Sequence, residues 1–301
     1  MSTNVRESLQ KINIRGEILY DQPLSQRTTL HIGGNADAVV VPENPLELIS
    51  LIPYLIEKQI PYAALGSGSN LLASDEGFPG CMIDLKHCTH HSFRGRYLFS
   101  EAGIKLESLI HSAAELELSG LEHLTGIPGT LGGAIACNAG AFGRDIASVL
   151  EWVDFLDDQG TLRRLHAREA AFSYRRAPFT RRNIILEAGL RLDVGRSTEI
   201  LSSMNRSKQE RKRRGYYGHP SAGSVFKNPP GLEITAGELS QQVGLKGVSI
   251  GGAQVSPQHG NIIINTGNAT SDDVRKLIDF MKQKIEEETG IQLEEEIRAL
   301  V

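Results

Sequence analysis

The chain has 301 residues, of which 40% are hydrophobic, so it is long enough to form about two domains with apolar cores. Its formal net charge of -4 excludes a general attraction to nucleic acid or to an anionic membrane surface, which leaves small molecules as the expected partners. The polar N-terminal stretch and the lack of any long apolar run argue against secretion and membrane insertion, and we expect a cytoplasmic protein.

The first half of the chain interleaves short strands with two helices. One helix should begin at Asn44-Pro45, carry Leu46, Ile49 and Ile52, and kink or break at Pro53. A second helix has an apolar face and is stopped by Gly120; the face consists of Leu106, Leu109, Ile110 and Ala113. Strands are predicted over 38–41, 61–65, 81–85 and 97–101.

The second half continues this alternation, which is typical of an α+β protein. Strands are predicted over 149–156, 162–165, 184–192 and 262–264. Thr235 with Glu238 has the pattern of a capping box that opens a short helix. The last helix should begin at Thr270 and end before Gly290. Between the strands and these helices, the basic stretch Arg206–Gly215 marks a domain boundary.

The cysteines and histidines show no pattern typical of a metal site. Cys81, Cys88 and Cys137 are odd in number and lack the paired spacing of zinc ligands, so reduced thiols are the simplest interpretation. None of the nine histidines has a metal-binding spacing with paired carboxylates. We therefore predict no metal site.

Two glycine-rich segments are the most informative local features. Gly126–Gly143 contains six glycines and no ionisable side chain except Cys137, so its backbone N–H groups can approach a large ligand. The loop Gly66–Leu72 follows a predicted strand, but Leu71 occupies the third glycine position of the dinucleotide fingerprint, which disfavours a Rossmann domain. Two such loops suit a long cofactor such as FAD, whereas either loop alone can be a structural turn cluster.

Ser224 is a candidate for chemistry because of its neighbours. Lys227 and Asn228 can bind an anionic substrate while the hydroxyl faces a reacting atom. No histidine is adjacent, and Phe226 interrupts the Gly-x-Ser-x-Gly elbow, so acyl transfer is disfavoured. The structural alternative is a serine in a turn or cap.

Charged residues elsewhere also have two interpretations. Arg175 and Arg176 form either an anion clamp or a surface pair. Glu294–Glu296 stand between the apolar residues Leu293 and Ile297, so one face of the tail should pack inward as a strand while one glutamate can reach an active site.

Taken in chain order, seven segments of the sequence resemble the UDP-N-acetylenolpyruvoylglucosamine reductase family, the flavoenzymes that make UDP-N-acetylmuramate for peptidoglycan. The matching segments span nearly the whole chain from about Arg27 onward, and they are 28–34, 66–72, 126–143, 173–175, 221–229, 244–247 with 251–253, and 293–298. The compact spacing between Arg175 and Ser224 resembles the subclass that lacks an extra tyrosine-bearing loop.

The resemblance implies a fold and a division into domains. The fold is an α+β, vanillyl-alcohol-oxidase-like (PCMH-type) FAD-binding fold in two subdomains, followed by a smaller α+β substrate domain. The implied division is an N-terminal segment (1–26), an FAD-binding domain (27–194, subdomains about 27–78 and 79–194), a linker helix (195–213), a substrate domain (214–292) and a tail that returns to the active site (293–301).

The resemblance also implies roles for individual residues. Ser224 matches the proton donor, Arg175 the catalytic arginine and Glu296 the catalytic glutamate. Substrate contacts are implied for Tyr174, Lys227, Asn228 and His259. The implied contacts to non-covalent FAD are Gly66, Ser67, Gly68, Ser69, Asn70, Leu71, Gly126, Ile127, Pro128, Gly129, Thr130, Gly132, Gly133, Ala134, Asn138, Ala139 and Gly140.

The implied reaction uses NADPH as reductant and UDP-N-acetylglucosamine enolpyruvate as substrate, in a protein that we expect to be a monomer. Two alternatives remain at this point. One is another FAD oxidoreductase of the same fold, of the alcohol or lactone oxidase type, and the other is a non-catalytic flavin-binding module, which would have no need for Ser224, Arg175 and Glu296 together.

Overall fold

The computed structural model describes residues 3–300 and divides the chain into two compact units. The first unit consists of the chain up to Gln22, Ala36–Ser67 and Pro79–Gln209. The second consists of Pro23–Asn35, Gly68–Phe78 and the chain from Glu210 onward. Helices and strands are mixed in both units, which confirms the predicted α+β class.

The helices and strands are, in chain order, α1 (Thr3–Leu9), β1 (Glu17–Pro23), β2 (Asn35–Val41), α2 (Glu47–Glu57), β3 (Tyr62–Leu65), β4 (Leu71–Ala73), β5 (Phe78–Asp84), β6 (His91–Arg94), β7 (Tyr97–Glu101), α3 (Leu106–Glu115), β8 (Leu118–Ser119), α4 (Leu131–Ala136), β9 (Gly140–Ala141), β10 (Arg144–Asp145), β11 (Leu150–Leu156), β12 (Leu162–His166), β13 (Ile184–Arg191), β14 (Asp193–Val194), α5 (Ser197–Arg213), β15 (Ser221–Ser224), α6 (Ala236–Gln242), β16 (Ser249–Ile250), β17 (Ala253–Val255), β18 (Ile262–Asn265), α7 (Ser271–Thr289) and β19 (Arg298–Leu300).

The first unit is built on two larger sheets. A four-stranded sheet has the order β1-β2-β5-β3, in which β3 and β5 are parallel. A five-stranded sheet has the order β12-β11-β13-β7-β6, and its neighbouring strands are antiparallel. A continuous apolar core joins these strands to α2 and α3, because both helices turn an apolar face inward.

Helix α2 corrects two predictions. It runs without a break through Pro53, and its buried face consists of Leu48, Leu51, Ile52 and Leu55, whereas Leu46 is 72% exposed. Burial of four large apolar side chains outweighs the one backbone hydrogen bond that proline removes. Gly160 lies against the proline ring, and a Cβ there would be 3.0 Å from Pro53 Cγ.

The second unit has a four-stranded antiparallel sheet of order β15-β18-β17-β16 and a short parallel pair formed by β4 and β19. Helix α7 packs Val274, Leu277 and Met281 into a separate apolar core, which also contains Leu293 and Ile297. The inward packing predicted for the C-terminal tail is therefore confirmed, whereas the predicted strand does not form over 293–297, and β19 begins only at Arg298.

Helix ends in the second unit follow their local sequence. Thr235 and Glu238 form a complete capping box at α6, and Thr270 with Asp273 does the same at α7. Gly290 ends α7 in the left-handed region, with φ 71°. These predictions are confirmed because caps depend on residues that are neighbours in the chain. Within residues 3–300, every helix is too short or too polar to cross a bilayer.

Candidate active site

The two glycine-rich segments meet within the first unit. A Cβ on Gly66 would be 2.8 Å from Thr130 Oγ1, and a Cβ on Gly133 would be 3.4 Å from the same atom. Thr130 itself is buried and caps α4 by accepting a hydrogen bond from Gly133 N (3.2 Å). Gly66 and Gly133 are both exposed, so uncovered main chain flanks the buried Thr130 side chain.

Not every glycine in the segment Gly126–Gly143 has this open position. Gly132 is buried, donates its N–H to Ala102 O (2.8 Å), and a Cβ there would lie 2.8 Å from Ala102 Cβ. Gly140 is likewise enclosed, because a Cβ would clash with Arg144 O. The segment therefore contains enclosed glycines as well as exposed ones, and its contact with FAD stays a prediction.

The open part of this surface fits FAD. The space beside Gly66 and Gly133 is one that a side chain would fill, and the segment from Gly126 to Gly143 carries no charged group to repel a phosphate. These residues could hold the cofactor through backbone N–H groups. The remaining loop residues predicted for FAD, Gly68–Leu71, belong to the second unit. Among the residues that the structure describes, no group of three His, Cys, Asp or Glu side chains could hold a metal ion.

Arg175 lies at the tip of a tight turn in the first unit. Ser173 and Arg176 exchange two backbone hydrogen bonds of 3.1 and 2.9 Å, which leaves Tyr174 and Arg175 as the two turn residues. Arg175 has φ 54°, in the left-handed region that costs a non-glycine residue energy. Its side chain is half-buried, whereas Arg176 is exposed, and its guanidinium carbon lies 5.4 Å from the Tyr174 ring centroid.

Asn138 fixes this turn to the glycine segment. The residue is 1% exposed, and its side-chain amide donates to Ser173 O and to Asp145 Oδ2, both at 2.9 Å. Its Oδ1 accepts from Ala147 N at 3.2 Å. The Asn138 side chain is thus engaged within the protein, and the predicted contact of this residue with FAD stays a prediction.

In the second unit, Ser224 is at the end of β15, where the pairing with β18 is irregular. Asn261 bridges the irregularity: its carbonyl accepts from Val225 N, its Oδ1 accepts from Phe226 N (2.9 Å each), and its Nδ2 donates to Phe226 O (2.8 Å). One buried amide therefore replaces regular strand pairing immediately after Ser224.

The C-terminal tail runs beside the same segment. Glu296 N donates to Val225 O at 2.7 Å, one residue from Ser224, and Asn70 Nδ2 donates to Glu296 O at 3.1 Å. Glu296 is half-buried, whereas Glu294 and Glu295 are exposed. These two form ion pairs with Lys227 (2.6 Å) and Lys282 (3.1 Å) respectively. Of the three glutamates, Glu296 is thus the one that is partly withdrawn from solvent.

The residues predicted to contact substrate have partners inside the second unit. Lys227 pairs with Glu294, and Asn228 Oδ1 accepts from Ala236 N at the start of α6 (3.1 Å). His259 Nδ1 accepts from Asn261 N at 3.1 Å, and burial, aided by the positive charges of Arg214 and Lys246, lowers the pKa of His259 to about 4. Its imidazole is therefore neutral at pH 7. Tyr174, in the first unit, is 53% exposed. These substrate contacts stay predictions.

One residue of this site has no counterpart among the sequence predictions. Tyr216 lies with its hydroxyl 3.4 Å from Ser224 Oγ and its ring centroid 5.1 Å from that of His259. Helix α5 ends in a Schellman motif: Gly215 N donates to Lys212 O and Tyr216 N to Arg211 O. The local signal for Tyr216 is the glycine that follows the basic run, which ends the helix and turns the next residue inward.

Comparison with known proteins shows which proteins this chain is similar to. Residues 215–300 match the model of the UDP-N-acetylenolpyruvoylglucosamine reductase C-terminal domain, and residues 36–166 match that of an FAD binding domain. A UDP-N-acetylenolpyruvoylglucosamine reductase of Caldanaerobacter subterraneus is 41% identical over 293 residues, covering 97% of this chain and 96% of its own. That of Trichlorobacter lovleyi is 41% identical over 286 residues, covering 95% and 94% respectively.

Solved structures extend the similarity to the fold. UDP-N-acetylenolpyruvylglucosamine reductase from Thermus caldophilus is 35% identical, with a TM-score of 0.80, and the match covers 96% of this chain and 100% of that one. An alkyldihydroxyacetonephosphate synthase shares the fold over 64% of this chain, with 19% identity and a TM-score of 0.50. With the FAD-binding match, these similarities confirm the predicted FAD-binding fold.

Proposed function

The chain belongs to the UDP-N-acetylenolpyruvoylglucosamine reductase family, and from that membership we propose which of its own side chains carry the reaction. The protein is an FAD-dependent reductase that converts UDP-N-acetylglucosamine enolpyruvate to UDP-N-acetylmuramate with NADPH, a step in peptidoglycan precursor synthesis. When bound, FAD supplies the hydride that adds to the terminal vinyl carbon of the substrate.

We propose that separate ranges of the chain bind FAD and the substrate. Residues 27–194, with subdomains of about 27–78 and 79–194, bind FAD, a linker helix covers 195–213, and residues 214–292 with the tail 293–301 bind substrate. The FAD-binding match over 36–166 and the C-terminal match over 215–300 support this division. We further propose that the enzyme acts as a monomer in the cytoplasm.

We assign to Arg175 the stabilisation of the negative charge that develops during the reaction. Addition at the terminal vinyl carbon leaves a carbanion next to the substrate carboxylate, and its charge spreads into an enolate. A guanidinium remains charged at all relevant pH values and matches a carboxylate in a fork-like arrangement. The half-buried side chain of Arg175, fixed by a turn that Asn138 holds, supports this role.

Ser224 is the residue that we assign to proton donation. A serine hydroxyl is ordinarily too weak an acid for this task, but a carbanion next to a carboxylate is basic enough to take its proton. No histidine is needed, because the serine acts as an acid and not as a nucleophile. The new C–H bond forms as the Ser224 O–H bond breaks, and the electron pair of that O–H bond stays on Oγ.

Glu296 orients the substrate and sets the local field, either as a carboxylate or as a protonated acid. The observation that carries the proposal is the hydrogen bond from Glu296 N to Val225 O (2.7 Å). It joins Glu296 to Val225, the residue after Ser224, so two residues that the sequence marks independently, Ser224 and Glu296, lie on neighbouring stretches of backbone.

The first prediction concerns Ser224→Ala. Reoxidation of the reduced flavin by the enolpyruvyl substrate should slow by roughly two to four orders of magnitude, because a general acid contributes about that much. Reduction by NADPH should proceed at the wild-type rate, since that half-reaction needs no proton from Ser224. Stopped-flow absorbance measures both half-reactions separately.

A matched control is Ser202→Ala, which removes the hydroxyl of an exposed serine on α5. It should leave both rates unchanged. If Ser224→Ala slowed the two half-reactions equally, the loss would reflect damage to the whole site, and the assignment of Ser224 as proton donor would be wrong.

A further inference from the structure

The ring of Tyr216 has two neighbours in the second unit. The guanidinium carbon of Arg211 lies 5.1 Å from the ring centroid, and the His259 ring lies 5.1 Å away at an angle of 58°. Gly215 allows this packing, because any side chain there would clash with Gln258, the residue before His259. Tyr216 is thus fixed by its ring while its hydroxyl points to Ser224 Oγ, 3.4 Å away.

Neither neighbour of the ring can accept the phenolic proton. Arg211 has no acceptor atom and stays protonated. His259 is neutral, and its Nδ1 already accepts from Asn261 N, so its Nε2 carries the hydrogen and is a donor. The hydroxyl partner that the structure gives Tyr216 is Ser224 Oγ.

Loss of the Ser224 proton determines which hydroxyl donates in this hydrogen bond. While Ser224 keeps its proton, either hydroxyl can donate to the other. Once Ser224 gives its proton to the substrate carbon, Oγ can only accept, and Tyr216 becomes the donor. A distance of 3.4 Å is long for such a bond, and it should shorten as negative charge develops on Oγ.

We propose that Tyr216 is a positioning residue that acts through Ser224, donating a hydrogen bond to Oγ as the proton leaves and then returning a proton to it. In the second step the Tyr216 O–H bond breaks, the Ser224 O–H bond re-forms, and water supplies the proton that restores the phenol. This inference rests on the proposed role of Ser224 as proton donor.

The test is Tyr216→Phe, which keeps the ring beside Arg211 and His259 and removes only the hydroxyl. Reoxidation by the enolpyruvyl substrate should slow roughly 10- to 100-fold, the factor expected for a hydrogen bond to a charged group. The solvent deuterium isotope effect on that step should increase, because proton transfer becomes more rate-limiting. Reduction by NADPH and the substrate concentration at half-maximal rate should stay unchanged.

Tyr217→Phe is the matched control, because it removes the hydroxyl of the neighbouring tyrosine, which is 42% exposed. Its half-reactions should equal those of the wild type. NADPH reduction in each variant shows that the flavoprotein is folded and loaded.

A double variant separates this inference from the proposed function. In the Ser224→Ala background, Tyr216→Phe should have no further effect, since its hydroxyl has lost its partner. The inference would be overturned, with Ser224 still the donor, if Tyr216→Phe slowed flavin reoxidation further in that background. It would also be overturned if Tyr216→Phe alone raised the half-saturating concentration of the enolpyruvyl substrate and left the limiting rate of reoxidation unchanged. Failure of Ser224→Ala to slow reoxidation would instead contradict the proposed function itself.

Discussion

At the scale of single residues, the buried His123 side chain makes the stability of the first unit sensitive to acid. It is 6% exposed in the first unit, and burial, helped by the positive charge of Arg144, lowers its pKa from 6.5 to about 4. The unfolded chain therefore binds more protons than the folded one between pH 6.5 and 4. The free energy of unfolding is therefore fully retained above pH 6.5, and the part that depends on neutral His123 is lost as the pH falls through this window.

We expect the first unit to lose roughly 2 kcal/mol of unfolding free energy through His123 between pH 7 and pH 5. His123→Leu should remove that part of the pH dependence, because leucine has no proton to gain. The measurement is urea unfolding followed by the fluorescence of Trp152, the single tryptophan, which lies in the first unit.

His87→Leu is the control for this experiment, because His87 is exposed in the same unit. It should keep the wild-type difference between pH 7 and pH 5. An equal pH dependence in the His123 variant and the wild type would show that this histidine does not carry the effect.

The residue scale also shows what the sequence could reveal about the site. Arg175 and Ser224 were identified by their neighbours in the chain and by the family resemblance, and the structure adds that Arg175 is half-buried where Arg176 is exposed. Tyr216 was not predicted, because its contact with His259 joins residues that are far apart in sequence. Gly215 marks the end of α5 and the inward turn of Tyr216, but nothing in the local sequence marks this tyrosine as functional.

At the scale of elements, the turn that carries Arg175 depends on one buried amide. Asn138→Ala would remove the hydrogen bonds that join the glycine segment to Ser173 O, Asp145 and Ala147 N. We expect reoxidation by the enolpyruvyl substrate to slow roughly tenfold to hundredfold, since a small displacement of a catalytic group has effects of that size. Flavin content and NADPH reduction should be retained, and both can be read from absorbance.

Asn268→Ala is a matched control, because Asn268 is exposed in the second unit and should leave both half-reactions intact. If the Asn138 variant lost FAD while the flavin that remained was reoxidised at the wild-type rate, Asn138 would hold the cofactor and not the turn that carries Arg175.

Elements also differ in how far local sequence determines them. Thr270 and Gly290 mark both ends of α7, because caps are formed by residues next to the helix in the chain. Pro53 misled the prediction for α2, because its cost is outweighed by packing of the helix on a core whose other members are distant in sequence. Of the apolar residues predicted on α2, Ile52 faces the core, whereas Leu46 and Ile49 are exposed for the same reason.

At the scale of the whole molecule, the order of motifs along the chain was more informative than any one of them. The glycine segment alone allows a turn cluster or a cofactor surface, and the structure shows Gly132 buried beside an exposed Gly133. Each unit is made of segments that are not continuous in the chain: Pro23–Asn35 and Gly68–Phe78 belong to the same unit as the C-terminal part. Composition could not predict this division, because it depends on contacts between distant segments.

The most direct test of the account is the visible absorption of the purified protein under anaerobic conditions. We expect a flavin spectrum that bleaches on addition of NADPH and returns on addition of UDP-N-acetylglucosamine enolpyruvate, with one UDP-N-acetylmuramate formed per flavin reoxidised. A protein without flavin, or a reduced flavin that is reoxidised by oxygen but not by the enolpyruvyl substrate, would contradict it.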